Sequence, residues 1–240
     1  MTLIDELAQW LSVPAHWTGT DGMLPRLGEH LAFSAGTLLL SILIALPIGL
    51  AIGHTGRGAL AAISISNIGR AIPTLGILGI VLTITANWVP PIGFFFIPTI
   101  VALVALGIPP IVTNTYAGLR EVDPEIIEAG RGMGMRELEL LWRVEVPLAL
   151  PSILAGLRVS AVQIVATATL AAVLGAGGLG RLIIDGIAQK GPIGDPQLFM
   201  GAVLTGLLAI GTELAFSWLQ RRIVSPGVGM AARPEVEAAR

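Results

Sequence analysis

The chain has 240 residues, 54% hydrophobic and 12% charged, with a formal net charge of −2 and a mean hydropathy of +0.82. Soluble domains carry roughly 25% charged residues, so a soluble fold of this size could not cover its surface, and the bilayer is the expected main solvent. The absence of cysteine removes disulfides, thiolate metal sites and a cysteine nucleophile.

The N-terminus, Met1-Thr2-Leu3-Ile4-Asp5-Glu6, lacks the basic region of a cleavable signal peptide and is expected to be retained. Residues 1–30 read as an extracytoplasmic segment, in which Leu3, Leu7, Trp10 and Leu11 predict a short interfacial helix. The transmembrane domain is placed at residues 31–222. A first span covers residues 31–53, uncharged and interrupted only by Pro47, where crossing a bilayer takes about 20 residues. The turn His54-Thr55-Gly56-Arg57-Gly58 follows.

Residues 71–119 contain no charged side chain, and Asn87-Trp88-Val89-Pro90-Pro91 divides the run through its helix-breaking prolines and an interfacial tryptophan. The second and third spans are therefore residues 59–86 and 92–119. The second contains Asn67, Arg70 and Pro73, so its early part belongs at the cytoplasmic edge or against a wet cavity. Residues 120–147 form the polar centre of the sequence, with eleven charged residues between Arg120 and Glu145 and apolar Ile126, Ile127, Met133, Leu138, Leu141 and Trp142 interleaved. The pattern is that of an amphipathic helical hairpin outside the membrane, with Asp123 as N-cap before Pro124.

A fourth span, residues 148–174, carries Arg158. The string Gly175-Ala176-Gly177-Gly178-Leu179-Gly180 and a short polar loop with Arg181, Asp185, Lys190 and Asp195 come next. The fifth span, residues 198–219, carries Glu213 and closes on Arg221 and Arg222; residues 223–240 are expected to be a disordered cytoplasmic tail. Five spans place the termini on opposite sides. Arg57, Arg120, Arg131, Arg136, Arg143, Arg221 and Arg222 collect on one side, against Arg26, Arg181 and Lys190 on the other, so the N-terminus is expected outside and the C-terminus in the cytoplasm of a multi-pass cell-membrane protein.

The single lysine, Lys190, stands in Gln189-Lys190-Gly191, and no Gly-x-x-x-x-Gly-Lys-Ser/Thr string exists to hold nucleotide phosphates. This chain is therefore not expected to hydrolyse ATP, and no catalytic residue is assigned. Transport energy must come from an ion gradient or a separate ATPase. A gradient-driven carrier places ionisable groups within its spans, for which Arg70, Arg158 and Glu213 are candidates. Arg158 and Glu213 fit better as side chains snorkelling to the headgroups, whereas Arg70, beside a proline break, is evenly balanced. A partner ATPase needs a docking surface, and residues 120–147 are the large candidate. Most charge runs are solvated loops, but this one has a helical pattern, and Gly130, Gly132 and Gly134 are expected to admit a partner's groove close to the backbone. The histidines His16, His30 and His54 are scattered near predicted span ends, and no His/Asp/Glu cluster suggests a metal site.

The segment Glu128-Ala129-Gly130, then Gly134, then Val144-Glu145-Val146-Pro147 resembles the EAA loop of permease subunits of ATP-binding-cassette importers. The family pattern is Glu-Ala-Ala, three residues, Gly, nine residues, Ile-x-Leu-Pro. The spacing fits throughout; Gly130 replaces an alanine, and Val144 and Val146 replace Ile and Leu. The string Ala71-Ile72-Pro73-Thr74-Leu75 and residues 112–119, Val122-Asp123-Pro124, residues 129–135 and residues 166–180 are similar to the osmoprotectant branch, which takes up glycine betaine, choline and carnitine, and the resemblance covers roughly residues 31–219.

This resemblance implies an all-α type I importer permease fold of about five transmembrane helices with a cytoplasmic coupling helix. It implies a second permease subunit, identical or similar, two ATPase subunits that hold ATP and Mg, and an external binding protein, with no cofactor or nucleic acid on this chain. The binding protein is expected to be separate, since the chain ends soon after its fifth span. Glu128, Ala129, Gly130, Gly132, Gly134, Val144 and Pro147 are the implied ATPase-coupling residues. Arg70, Pro73, Thr74, Thr113, Asn114, Thr167 and Thr169 are translocation-path candidates, because irregular backbone and polar groups at membrane depth face either a cavity or a neighbouring helix. Aromatic residues are 5% of the chain, as suits a conduit that leaves tight binding of a cation to a partner's aromatic cage. Rival readings are a permease for another small solute such as methionine, a gradient-driven carrier, whose inverted repeats and buried acids are not evident, and a scaffold or membrane enzyme.

Overall fold

The computed structural model describes residues 2–58, 60, 63–64, 73–88 and 92–224. Asn67, Arg70, Ala71, Ile72, Val89, Pro90, Pro91 and the predicted tail from residue 225 lie outside the described residues.

Every regular element among them is helical. In chain order they are α1 (Leu3–Leu11), α2 (Ala15–Thr18), α3 (Met23–Thr55), α4 (Thr74–Thr85), a π-helical turn (Ile92–Phe96) and α5 (Ile97–Arg120). Next come α6 (Pro124–Gly132), α7 (Glu137–Leu140), a second π turn (Leu141–Glu145), α8 (Val146–Thr167), a 3-10 segment (Ala168–Leu174), α9 (Gly180–Gln189) and α10 (Gly191–Ile223). Four helical stretches among the described residues are long and apolar enough to cross a membrane: Ala15–Thr55, Phe94–Arg120, Glu137–Leu174 and Gly191–Ile223. Within the second predicted span, Thr74–Thr85 forms α4, a 12-residue apolar helix.

α3 begins at Met23, ahead of the apolar run of the first predicted span, and its early Arg26 pairs with both Asp21 and Glu29. One sequence expectation changes. Where the sequence predicts a polar loop around Arg181 and Asp185, the structure has α9, and these two charges form an i,i+4 ion pair of 2.6 Å on one helix face. Prolines do not end the long helices. Pro109 and Pro110 lie inside α5, where Thr113 Oγ1 donates to the Pro109 carbonyl and Asn114 Nδ2 to the Pro110 carbonyl, each at 2.8 Å.

The described residues fall into two compact units. The first takes residues 1–40, 71–107 and 161–212. Its core is Trp10, Met23, Leu179 and Leu182, with Leu11, Leu27, Met200, Leu204 and Leu208 packed against them. Trp10 stacks on His16 at 4.2 Å, and the buried His30 ring lies 2.9 Å from the Val165 carbonyl oxygen. The glycine string is anchored here: Gly178 N–H donates to Glu29 Oε2 at 2.7 Å. α9 meets α10 where glycines leave room, since a Cβ on Gly194 would lie 2.5 Å from the Gly186 carbonyl oxygen.

The second unit takes residues 41–70, 108–160 and 213–240. α5 is packed on both sides through glycines. Gly49 and Gly53 of α3 abut Thr115 and Leu119, while Gly118 of α5 abuts Ser152, and Gly156 of α8 abuts Asn114. Leu50, Leu119, Leu141, Ala149 and Ile153 form one apolar cluster and Ala45, Ile52, Ile111 and Val112 another. This packing holds the charged segment that follows α5.

Candidate functional site

The charged segment is built by local rules. Pro124 opens α6 at a position whose N–H would have no partner, and Asp123 Oδ1 accepts from Glu125 N–H at 2.9 Å. α6 stops in a closure where Met135 N–H donates to the Gly130 carbonyl at 3.2 Å and Gly134 takes φ 85°, a conformation that suits glycine. At the start of α7, Glu139 Oε2 accepts from Arg136 N–H at 3.1 Å.

Three contacts fold this hairpin on itself and onto α3. The wholly buried Leu140 packs over Gly130, where a Cβ would stand 2.7 Å from Leu140 Cδ1. Arg131 grips Glu137 with a bidentate fork, Nε to Oε1 at 3.0 Å and a terminal nitrogen to Oε2 at 3.1 Å. That hydrogen bonding, with the charge of Glu137, raises the Arg131 guanidinium above its ordinary pKa. At the end of α3, His54 Nδ1 lies 2.7 Å from Glu145 Oε2 and Nε2 lies 3.3 Å from Glu137 Oε2. Glu145 is only 3% exposed. His54, Arg120, Glu128, Arg131 and Glu145 line a polar recess of about 220 Å³.

Of the coupling candidates, Glu128, Ala129, Gly132, Gly134 and Pro147 are exposed, Val144 is half-buried and Gly130 is buried. The close approach that Gly130 permits is taken by Leu140 of the same segment, while Gly132 and Gly134 border open space. Four large apolar side chains of the segment are exposed: Ile126 (45%), Met133 (78%), Leu138 (70%) and Trp142 (58%).

The described translocation-path candidates are divided between the two units. Thr113 and Asn114 belong to the second unit, and Pro73, Thr74, Thr167 and Thr169 to the first. Pro73 precedes α4 and is exposed, Thr74 opens that helix, Thr167 ends α8, and Thr169 Oγ1 donates to the Ala166 carbonyl at 3.0 Å. Arg70 is outside the described residues. Arg158 and Glu213, expected to snorkel separately, are instead partners. Their charged atoms are 3.3 Å apart, and Arg158 also donates to Ser217 Oγ at 3.1 Å. No group of three or more His, Asp or Glu able to hold a metal ion occurs among the described residues.

The His54–Glu145 and Arg131–Glu137 contacts escape sequence reasoning. A signal for the first exists: Glu145 sits between Val144 and Val146, an acid inside an apolar string that must find a partner if buried.

A family profile described as "Binding-protein-dependent transport system inner membrane component" matches residues 34–225, which contain the whole hairpin and its flanking spans. The chain belongs to this family. Among similar permeases, the glycine betaine/carnitine/choline transport system permease protein OpuCB of Bacillus subtilis is 36% identical over 206 residues, 86% of this chain and 90% of that protein. The choline transport system permease protein OpuBB of the same organism is 35% identical over the same shares. The carnitine transport permease protein OpuCB of Listeria monocytogenes is 34% identical over 206 residues. A chain of the inward-facing MetNI methionine ABC transporter superposes with a TM-score of 0.72 at 25% identity, covering 85% of this permease and 96% of that chain. The permease is thus a multi-pass membrane protein with the all-α fold of type I ABC importer permeases, in a family whose transport depends on binding proteins and ATPases.

Proposed function

We propose that this permease forms half of the pore of an ATP-driven importer for small quaternary amines such as glycine betaine, carnitine or choline, and that residues 120–147 couple it to a separate ATPase. The substrate class is supported by its similarity to permeases that carry those names, each matched over 86% of this chain. The coupling assignment rests above all on the exposed face of the hairpin. Met133 and Leu138 are more than two-thirds exposed on a segment dense in charge, beside exposed Glu128 and Ala129. Exposed apolar side chains on an ordered, charged hairpin fit a protein docking surface. Glu128 lies within α6, where its carboxylate suits a partner's arginine.

In this reading, closure of the ATPase dimer moves the hairpin, and the packed helices of the second unit move with it as one body. ATP and Mg reside on the ATPase, and a separate extracytoplasmic protein delivers the substrate to a pore of two permease subunits. The N-terminus faces outside and the C-terminus the cytoplasm.

Reconstitution of this permease with its ATPase and binding protein tests both parts. ATP-dependent uptake of labelled glycine betaine, carnitine or choline is expected; uptake of methionine alone would overturn the substrate class. Replacing Gly134 by Trp forces a bulky residue into a left-handed conformation that costs about 1–2 kcal/mol. Together with Glu128→Lys, it is expected to abolish uptake and weaken ATPase co-purification while leaving insertion intact. Normal transport and ATPase binding by an inserted Gly134→Trp permease would reduce the hairpin to a solvated loop.

A further inference from the structure

One cavity of the first unit takes no part in the coupling segment. It has a volume of about 620 Å³ and is lined by Arg26, Glu29, Phe33 and Leu40 of α3, Phe96 of the first π turn and Ile100 of α5. Small-molecule cavities span roughly 300–1,000 Å³. α3 has 33 residues and is about 50 Å long, more than the roughly 30 Å of a hydrocarbon layer, which leaves room for the charges of its first turns at the membrane edge.

The walls are aromatic and aliphatic. Phe33 and Phe96 stack with ring centroids 5.9 Å apart and planes inclined by 24°, and Phe96 is 41% exposed. The polar groups beside them carry an unbalanced charge, because Arg26 pairs with both Asp21 and Glu29, one cation against two carboxylates. Glu29 Oε2 accepts from Arg26 at 2.9 Å and from Gly178 N–H at 2.7 Å, which leaves Oε1 without a partner among the described residues. Gly177 allows this arrangement, since a Cβ there would collide with the Glu29 carboxylate. A guanidinium has five N–H donors, so the two contacts of Arg26 leave it donors for a further carboxylate.

An open carboxylate oxygen beside aromatic rings suits one class of ligand. A quaternary ammonium has no N–H to donate, so ring faces and a nearby negative charge hold it, and this cavity offers both. A lipid acyl chain would fill the apolar walls but leave Oε1 and the excess negative charge unanswered. We propose that the cavity is a weak subsite of the permease for a trimethylammonium group, in which Phe33, Phe96 and Glu29 take the cation and Arg26 takes the carboxylate of a zwitterion such as glycine betaine or carnitine. Weak binding is what a conduit needs, because the substrate must leave as readily as it enters. The proposal rests on the quaternary-amine substrate class given above.

The test uses the complete transporter in proteoliposomes with one binding protein throughout, so that differences between variants report the permease. Uptake of labelled glycine betaine and of labelled choline is measured for each variant. Phe96→Leu keeps an apolar wall but removes a ring face, and is expected to lower uptake of both about fivefold, the scale of one cation–π contact. Phe96→Tyr keeps the ring face and is expected to retain both. Glu29→Gln, which still offers Gly178 an acceptor, is expected to lower both. Arg26→Gln is expected to lower glycine betaine uptake about fivefold relative to choline, which has no carboxylate. Unchanged uptake in Phe96→Leu overturns the proposal and leaves an acyl chain or a second copy of this chain as the occupant. Equal losses in Phe96→Leu and Phe96→Tyr overturn it as well, by reducing Phe96 to packing, and equal loss of both substrates in Arg26→Gln overturns the carboxylate role. If Arg26→Gln or Glu29→Gln does not accumulate, the two variants at exposed Phe96 decide. An unmodified transporter that carries neither amine overturns the substrate class itself, whereas normal uptake with an indifferent Phe96→Leu overturns this site alone.

Discussion

At the scale of single residues, the hairpin shows what a short pattern does and does not disclose. The Asp123–Pro124 start is written locally, as is the Gly134 turn, because both depend on neighbours within a few positions. The partners of His54 and Glu145 are 91 positions apart and are brought together only by the packing of α3, α5 and α8. Gly130 lies between these cases. Its lack of a side chain is visible in the sequence, but Leu140 as the occupant of that space is not. Gly130→Val overpacks the contact and is expected to cost about 1–3 kcal/mol. The melting temperature of the purified permease should fall and partly recover on adding Leu140→Ala. Gly132→Ala, facing open space, should change stability by less than about 0.5 kcal/mol. Equal losses from both substitutions would mean that the Leu140 contact is not what Gly130 serves.

At the scale of elements, apolar runs disclosed the long helices, since a bilayer demands length and low charge before anything else. Their ends were less legible. α3 starts at Met23, where Arg26 pairs with Asp21 and Glu29, and α9 forms where the density of charges suggests a loop. The Arg158–Glu213 pair is a similar case. Each residue alone reads as a snorkelling side chain, whereas α8 and α10 place them together at 32% and 45% exposure. Arg158→Leu or Glu213→Leu alone leaves one charge within a span, at a cost of about 2–3 kcal/mol on insertion scales. Either single variant should lower the yield of inserted permease, and the Arg158→Leu/Glu213→Leu double variant should recover most of it. Additive losses in the double variant would show that the two charges act independently.

At the scale of the whole molecule, composition alone fixed the solvent, and the spaced pattern from Glu128 to Pro147 disclosed the family. The division into two units was not legible, because four of its boundaries, those among the described residues, fall inside α3, α5, α8 and α10. The arginine distribution predicts cytoplasmic signals from reporters fused at residues 57, 137 and 222 and external signals at residues 89 and 190. A cytoplasmic signal at residue 89 would break the five-span arrangement. The turn between α9 and α10 adds one more consequence. Lys190 is exposed there, with φ 49°, and it is the sole lysine of a chain that also has no thiol. To an acylating or alkylating reagent this protein is almost blank, offering one ε-amine beyond its N-terminus. A fluorophore, crosslinker or isotopic tag aimed at amines would therefore install itself at a known position in the unaltered protein, where most membrane proteins need their reactive groups engineered away first.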